Sequence, residues 1–234
     1  MISDKLPQVP NPLDTQSETN ADVNGSTLIV VRHGERLDEA NKVMWYRICD
    51  TSRDGRKLEY FANDPPLTDD GLNQAETAAR TVTSILEVFD KSNIDRVYSS
   101  KLKRAYQTAY SLAKILCLPL YVSSGLAVSA DAVSRNPEEF EFASIDTIRS
   151  ECPGIDVLED DDLHINPSVP WKSYFTRLAS KHALSVVVAH RETIRQLNGS
   201  LVPTPYCCIA KFSVNREKSD FKLDALLDRY GIAI

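Results

Sequence analysis

Long apolar runs are missing from this chain. No segment approaches the roughly 20 consecutive apolar residues that a membrane-spanning helix needs, so none is expected. The first residues also lack the basic-then-apolar pattern of a secretory signal. Without secretion, the glycosylation-like triplets Asn24-Gly25-Ser26 and Asn198-Gly199-Ser200 carry little weight. Positive charge is not in excess either. A net charge of −6 and a pI near 5.3 exclude a general nucleic-acid surface and a polybasic membrane anchor. Any anion site must therefore be a local basic pocket in an acidic protein. The five cysteines (Cys49, Cys117, Cys152, Cys207, Cys208) show no Cys-x-x-Cys or Cys/His ligand spacing. They read as reduced thiols of a cytoplasmic protein, with the nucleus as the alternative, and not as a metal site. Neither an internal repeat nor a second domain is visible.

What is present is an ordinary globular composition, 42% hydrophobic and 26% charged, long enough for one sizeable core. Residues 1–26 are poor in large apolar groups and read as a flexible tail. A single domain is expected over 27–234, with insertions near 37–63 and 123–170. Its first strand, Thr27–Val31, runs into Arg32-His33-Gly34-Glu35-Arg36. The connection 37–63 is irregular and long, and long connections tend to be functional. Thr68, followed by Asp69 and Asp70, is placed to cap a helix whose apolar positions run from Leu72 to Phe89.

A second strand is expected at Ile94–Tyr98, ended by Ser99-Ser100, and a helix over Lys101–Leu116. A third strand, Leu118–Val122, completes a β-α-β-α-β order, the sign of a mainly parallel sheet covered on both faces. Within 123–170, short helices are expected around Glu138–Phe142 and Ile145–Glu151, and the acidic run 159–162 beside His164 reads as a solvated loop. A helix over Trp171–His182 leads into the strand Leu184–Ala189, which stops at His190. A helix at Glu192–Leu201, a strand at Cys207–Val214 and an element of open type at Phe221–Leu227 follow.

Two strands thus end in histidine, at His33 and His190, and a third strand–helix junction delivers Arg104. In a parallel sheet these junctions share the carboxyl edge, where ligands bind. A neutral imidazole between guanidinium groups suits attack on an anionic centre such as phosphate.

These residues resemble the histidine phosphatase superfamily, with its phosphoglycerate mutase-like fold. Arg32-His33-Gly34 after a strand is similar to its hallmark, and Pro66-Leu67-Thr68-Asp69-Asp70-Gly71 to its helix-opening segment. The stretch Ser99 to Ala109 resembles the motif bearing its second phosphate-binding arginine, and Val187-Val188-Ala189-His190 the motif with its second histidine. The four segments span nearly all of 27–200 in the right order. Arg32-His33-Gly34-Glu35-Arg36-Leu37-Asp38 with Trp45 is most similar to the phosphatase domains of the suppressor-of-T-cell-receptor-signalling (ubiquitin-associated and SH3) proteins. At this length a phosphatase-like domain is expected without those additional modules. The resemblance implies an α/β three-layer sandwich with a mostly parallel central sheet and helices on both faces.

It also implies a division of labour. His33 is the expected nucleophile, forming a phosphohistidine, its other ring nitrogen donating to a backbone carbonyl. Arg32, Arg36 and Arg104 are the expected phosphate ligands, as forked donors. His190, protonated beside a dianion, is expected to stabilise transferring charge. No metal or other cofactor is expected. The family's general acid is a Glu after the third strand in one branch and an Asp after the second histidine in another. The corresponding residues here are Val128 and Arg191. Asp131, Glu35, Glu138 and Glu139 are candidate replacements. General acid–base assistance is worth about 10²–10⁴-fold, so a weak or specialised phosphatase is expected. Aryl esters, whose phenol leaves with a pKa of about 10, are favoured over alkyl esters, and mutase activity is not expected. The alternative is an impaired pseudophosphatase that binds phosphorylated ligands. Expected partners are a phosphorylated small molecule or a phosphoprotein, with a homodimer as a further candidate, and neither nucleic acid nor membrane.

Overall fold

The computed structural model describes residues 25–88 and 94–234. Its strands are β1 (Gly25–Arg32), β2 (Val97–Ser100), β3 (Leu120–Ser123), β4 (Val157–Glu159), β5 (Leu184–Ala189), β6 (Ile209–Asn215) and β7 (Asp220–Leu227). They form one seven-stranded sheet in the order β4-β3-β2-β5-β1-β6-β7. From β4 to β1 the strands run parallel, and β6 and β7 close the far side antiparallel. The helices are α1 (Leu37–Ala40), α2 (Lys42–Thr51), α3 (Leu58–Ala62), α4 (Asp69–Val88), α5 (Lys103–Leu116), α6 (Asp131–Arg135), α7 (Ile145–Glu151), α8 (Trp171–Lys181) and α9 (Arg191–Asn198).

The unbroken apolar run of β1 follows from burial on both faces. Successive side chains alternate, so Ile29 and Val31 join one core with Ala75, Ala78 and Val82 of α4 and Ala109 and Leu112 of α5. Leu28 and Val30 join the other with Phe175 and Leu178 of α8, Ile194 of α9 and Phe212 of β6. The result is the expected three-layer α/β sandwich.

One contact explains the glycine of Arg32-His33-Gly34. A Cβ on Gly34 would lie 2.5 Å from the carbonyl oxygen of Gly71, and one on Gly71 would lie 2.4 Å from that of Glu35. The end of β1 and the start of α4 therefore approach at a distance only glycine permits. Thr68 caps α4, its hydroxyl accepting the Gly71 N–H at 2.9 Å.

Several expectations shift. The second strand lies at Val97–Ser100, not Ile94–Tyr98, because Ser99 and Ser100 extend the pairing with β3 and are buried. The connection 37–63 is not irregular. It holds α1 to α3, which share a small core of Trp45, Cys49 and Phe61. No helix forms at Glu138–Phe142, and the helix there is instead α6. The acidic run is not a solvated loop throughout: Glu159 ends β4 and pairs with Lys101, Asp160 is buried and pairs with Lys181, and only Asp161 and Asp162, in a short 3-10 turn, are exposed. Helix α9 stops at Asn198, where Gly199 takes the left-handed φ of 71°. Phe221–Leu227 is an edge strand. Of the expected tail, residues 1–24 lie outside the described residues, as does Phe89, while Gly25 and Ser26 belong to β1.

Candidate active site

In the sheet register Arg32 pairs with Ala189 and Ser99 with Val188, so β1, β5 and β2 deliver His33, His190 and Ser100 to one edge. A cleft of about 170 Å³ opens there, lined by Arg32, His33, Arg36 and Arg104 among others. The rings of His33 and His190 lie 5.5 Å apart. Helix α5 is stitched to this edge by Thr108, whose hydroxyl accepts the Gly34 N–H at 3.0 Å and donates to the Arg104 carbonyl at 2.8 Å.

His33 Nδ1 lies 2.8 Å from the Gly34 carbonyl oxygen. Nδ1–H is therefore the donor, and Nε2 keeps its lone pair. Burial holds the His33 pKa well below its ordinary 6.5, and the charges of Arg104 and Arg32 add to that. A neutral imidazole with a fixed tautomer is the form that attacks phosphorus.

His190 has one nitrogen, Nε2, 2.9 Å from Ser100 Oγ. Burial, then Arg104, Arg36 and Arg32, hold its pKa well below 6.5. Without a bound anion this favours the neutral ring. A dianion alongside would act in the opposite direction.

Among the described residues, three buried polar atoms in this group have no hydrogen-bond partner: Arg32 Nε, Arg104 Nε and His190 Nδ1. Each such atom costs about 1–3 kcal/mol unless something satisfies it. Arg32 and Arg104 line the cleft, so an anion bound there lies against two of these residues, whereas His190 is outside the lining.

The arginines are held from behind. Arg32 donates to the Thr204 carbonyl, and its guanidinium lies 4.0 Å above the Tyr206 ring. Arg104 Nη1 is 3.5 Å from Asp64, which also binds Arg56 at 2.8 Å. Burial, followed by Arg36, lowers the Arg104 pKa to about 10. Arg36 lines the cleft, yet it is engaged by both carboxylate oxygens of Asp38 and by Glu39.

The candidate acids separate. Asp131 lines the cleft. Glu35 does not, because its carboxylate accepts the Thr68 hydroxyl at 2.9 Å beside the start of α4. Glu138 and Glu139 are exposed and lie outside the lining. Sequence reasoning missed Glu39 and Glu192, which also line the cleft, and Tyr206, whose hydroxyl donates to Glu39. The signal for Tyr206 was its place just before β6. An antiparallel neighbour of β1 begins at the edge where β1 ends. Among the described residues no group of three or more His, Cys, Asp or Glu side chains is arranged to hold a metal ion, and all five cysteines are free.

The fold and the basic edge define an α/β protein of the phosphoglycerate mutase-like class. Residues 28–127 match the sequence model of the histidine phosphatase superfamily (branch 1). Ubiquitin-associated and SH3 domain-containing protein A from Homo sapiens is 29% identical over 120 residues, 44% of this chain. The match spans only 17% of that relative's length. Among solved structures, the ecdysone phosphate phosphatase from Bombix mori, in complex with tungstate, superposes with a TM-score of 0.55. It is 16% identical and covers 85% of this chain and 91% of its own, which shows a shared fold.

Proposed function

We propose that this protein is a phosphoric monoester hydrolase that works through a phosphohistidine on His33. The carrying observation is that His33 lines the cleft beside Arg32, Arg36 and Arg104, with its Nδ1–H held on the Gly34 carbonyl so that Nε2 keeps its lone pair. His33 Nε2 attacks phosphorus as the ester oxygen departs, and water then takes the phosphoryl group from the ring. Arg32 and Arg104 hold the equatorial oxygens, and His190 stabilises their charge. With the charge work done by side chains, the reaction is metal-independent.

The residues at the two usual acid positions shape the substrate preference. Val128 packs against an apolar cluster, and Arg191 forms an ion pair with Glu192. Neither can protonate a leaving oxygen as a carboxylic acid does. Aryl phosphates, on a small molecule or a phosphoprotein, are therefore the favoured substrates. The same two replacements favour the second reading, a pseudophosphatase that retains the pocket to bind phosphorylated ligands.

Turnover of p-nitrophenyl phosphate by the protein and by His33→Ala separates the two. Hydrolysis lost in the variant supports the enzyme. No hydrolysis by either, with tungstate binding retained, supports the binding protein and refutes the first reading.

A further inference from the structure

We infer that Asp131 is the acid–base residue of this site, replacing the carboxylate that Val128 has displaced. This rests on the hydrolase reading above.

Three carboxylates line the cleft: Glu39, Asp131 and Glu192. Glu39 accepts the Tyr206 hydroxyl and pairs with Arg36 at 3.3 Å. Both partners favour its ionised form and make it a poor proton donor. Glu192 is tied to Arg191 at 2.8 Å and lies 3.6 Å from Arg195. Asp131 differs from both: the charge of Arg191 acts on it, but among the described residues no group donates to its carboxylate or forms an ion pair with it. It is the cleft carboxylate with its oxygens free for substrate and water.

The backbone places it with some rigidity. Asp131 opens α6, three residues beyond Val128, and its neighbours Ala130 and Ala132 also line the cleft with small side chains. The preceding residue pair is anchored on both sides. Ser129 Oγ is hydrogen-bonded to the Thr193 hydroxyl, on the helix that starts at His190. Ala130 and Val133 pack with Leu102, at the start of α5, and with Tyr60. Asp131 is thus held between the helix after His190 and the helix bearing Arg104.

The steps balance. In the first, the P–Nε2 bond forms, the P–O bond to the leaving group breaks, and the Asp131 carboxylic acid gives its proton to the departing oxygen. In the second, water attacks phosphorus and passes a proton to the Asp131 carboxylate. The P–Nε2 bond breaks and inorganic phosphate leaves, which restores the neutral His33 and the protonated acid.

The test compares kcat/KM for p-nitrophenyl phosphate, phenyl phosphate and glycerol phosphate in the wild type, Asp131→Asn, Asp131→Glu and, as an outside control, Glu138→Gln. Acid assistance matters more as the leaving group becomes more basic. Asp131→Asn should leave p-nitrophenyl phosphate within about threefold and lower the poorer leaving groups by about 10²-fold. Asp131→Glu should restore part of the loss, and Glu138→Gln should match the wild type. Equal losses on all substrates, no loss on any, or a wild type that cleaves only p-nitrophenyl phosphate would overturn the assignment while leaving the hydrolase reading intact. A wild type with no turnover of any ester overturns both.

Discussion

Asp64 Oδ1 accepts the Lys103 N–H at 2.7 Å and lies 3.5 Å from Arg104 Nη1, so one oxygen both anchors the start of α5 and faces the arginine. Its other oxygen holds Arg56 at 2.8 Å. The carboxylate is fully buried. Removing it leaves the buried Arg104 without its carboxylate and Arg56 with Asp54 alone, at a cost of about 3–5 kcal/mol. Asp64→Ala should show that loss in urea denaturation. Asp64→Asn, which keeps an acceptor for Lys103, should lose less stability but weaken tungstate binding through a less well-held Arg104. Wild-type stability in Asp64→Ala would contradict this role.

The facing glycines make a second prediction. With a Cβ on Gly71 2.4 Å from the Glu35 carbonyl, Gly71→Ala must push the start of α4 off the Arg32-His33-Gly34 turn. Overpacking of this kind costs about 1–3 kcal/mol. A lowered melting temperature together with weaker tungstate binding is expected, since the displaced turn carries His33. Gly154→Ala, at an exposed turn with nothing within 4 Å of a Cβ but a φ of 80°, should cost stability without touching binding.

The pH dependence of stability has a definite sign. His33 and His190 are both depressed in the folded protein. Below about 6.5 the unfolded chain therefore takes up protons that the folded chain refuses. Stability is full above that pH and falls as the pH drops toward the folded values, by up to about 1.4 kcal/mol per pH unit for each histidine. Urea denaturation between pH 7.5 and pH 5 should show this slope, and His190→Asn should reduce it. A slope unchanged in the variant would count against the burial of a neutral His190.

Tyr206 supports Arg32 in two ways, through its ring and through Glu39. Tyr206→Phe keeps the ring and should bind tungstate nearly as the wild type does. Tyr206→Ala removes a cation–π contact worth about 0.5–2 kcal/mol and should weaken binding by about twofold to 30-fold. Isothermal titration of both variants distinguishes ring from hydroxyl.

The parts of this fold that follow short-range rules were legible in the sequence. The strand Leu184–Ala189 is continuous and β-branched, and the helix from Asp69 carries its cap and its apolar spacing in adjacent residues. His33, Arg104 and His190 could be grouped because a parallel sheet sends its strand ends to one edge. The residues that support them were not legible. Asp64 reaches Arg104 across 40 positions and Tyr206 reaches Glu39 across 167, and no local pattern records such pairings. Helix α6 was misplaced for a similar reason. It is only five residues long, too short for propensity to hold it, and it is set by Val133 packing against Leu102 and Phe140. The downward push on the His190 pKa likewise comes from burial among three arginines, which charge counts along the chain do not show.

The central claim is that His33 Nε2 takes the phosphoryl group. The direct measurement is to mix the protein with p-nitrophenyl phosphate, quench in alkali within one turnover, and locate any phosphoryl adduct by mass spectrometry. The account predicts an acid-labile, alkali-stable adduct on His33 in the wild type and none in His33→Ala. Turnover without an adduct on His33, or an adduct that survives in His33→Ala, would contradict it.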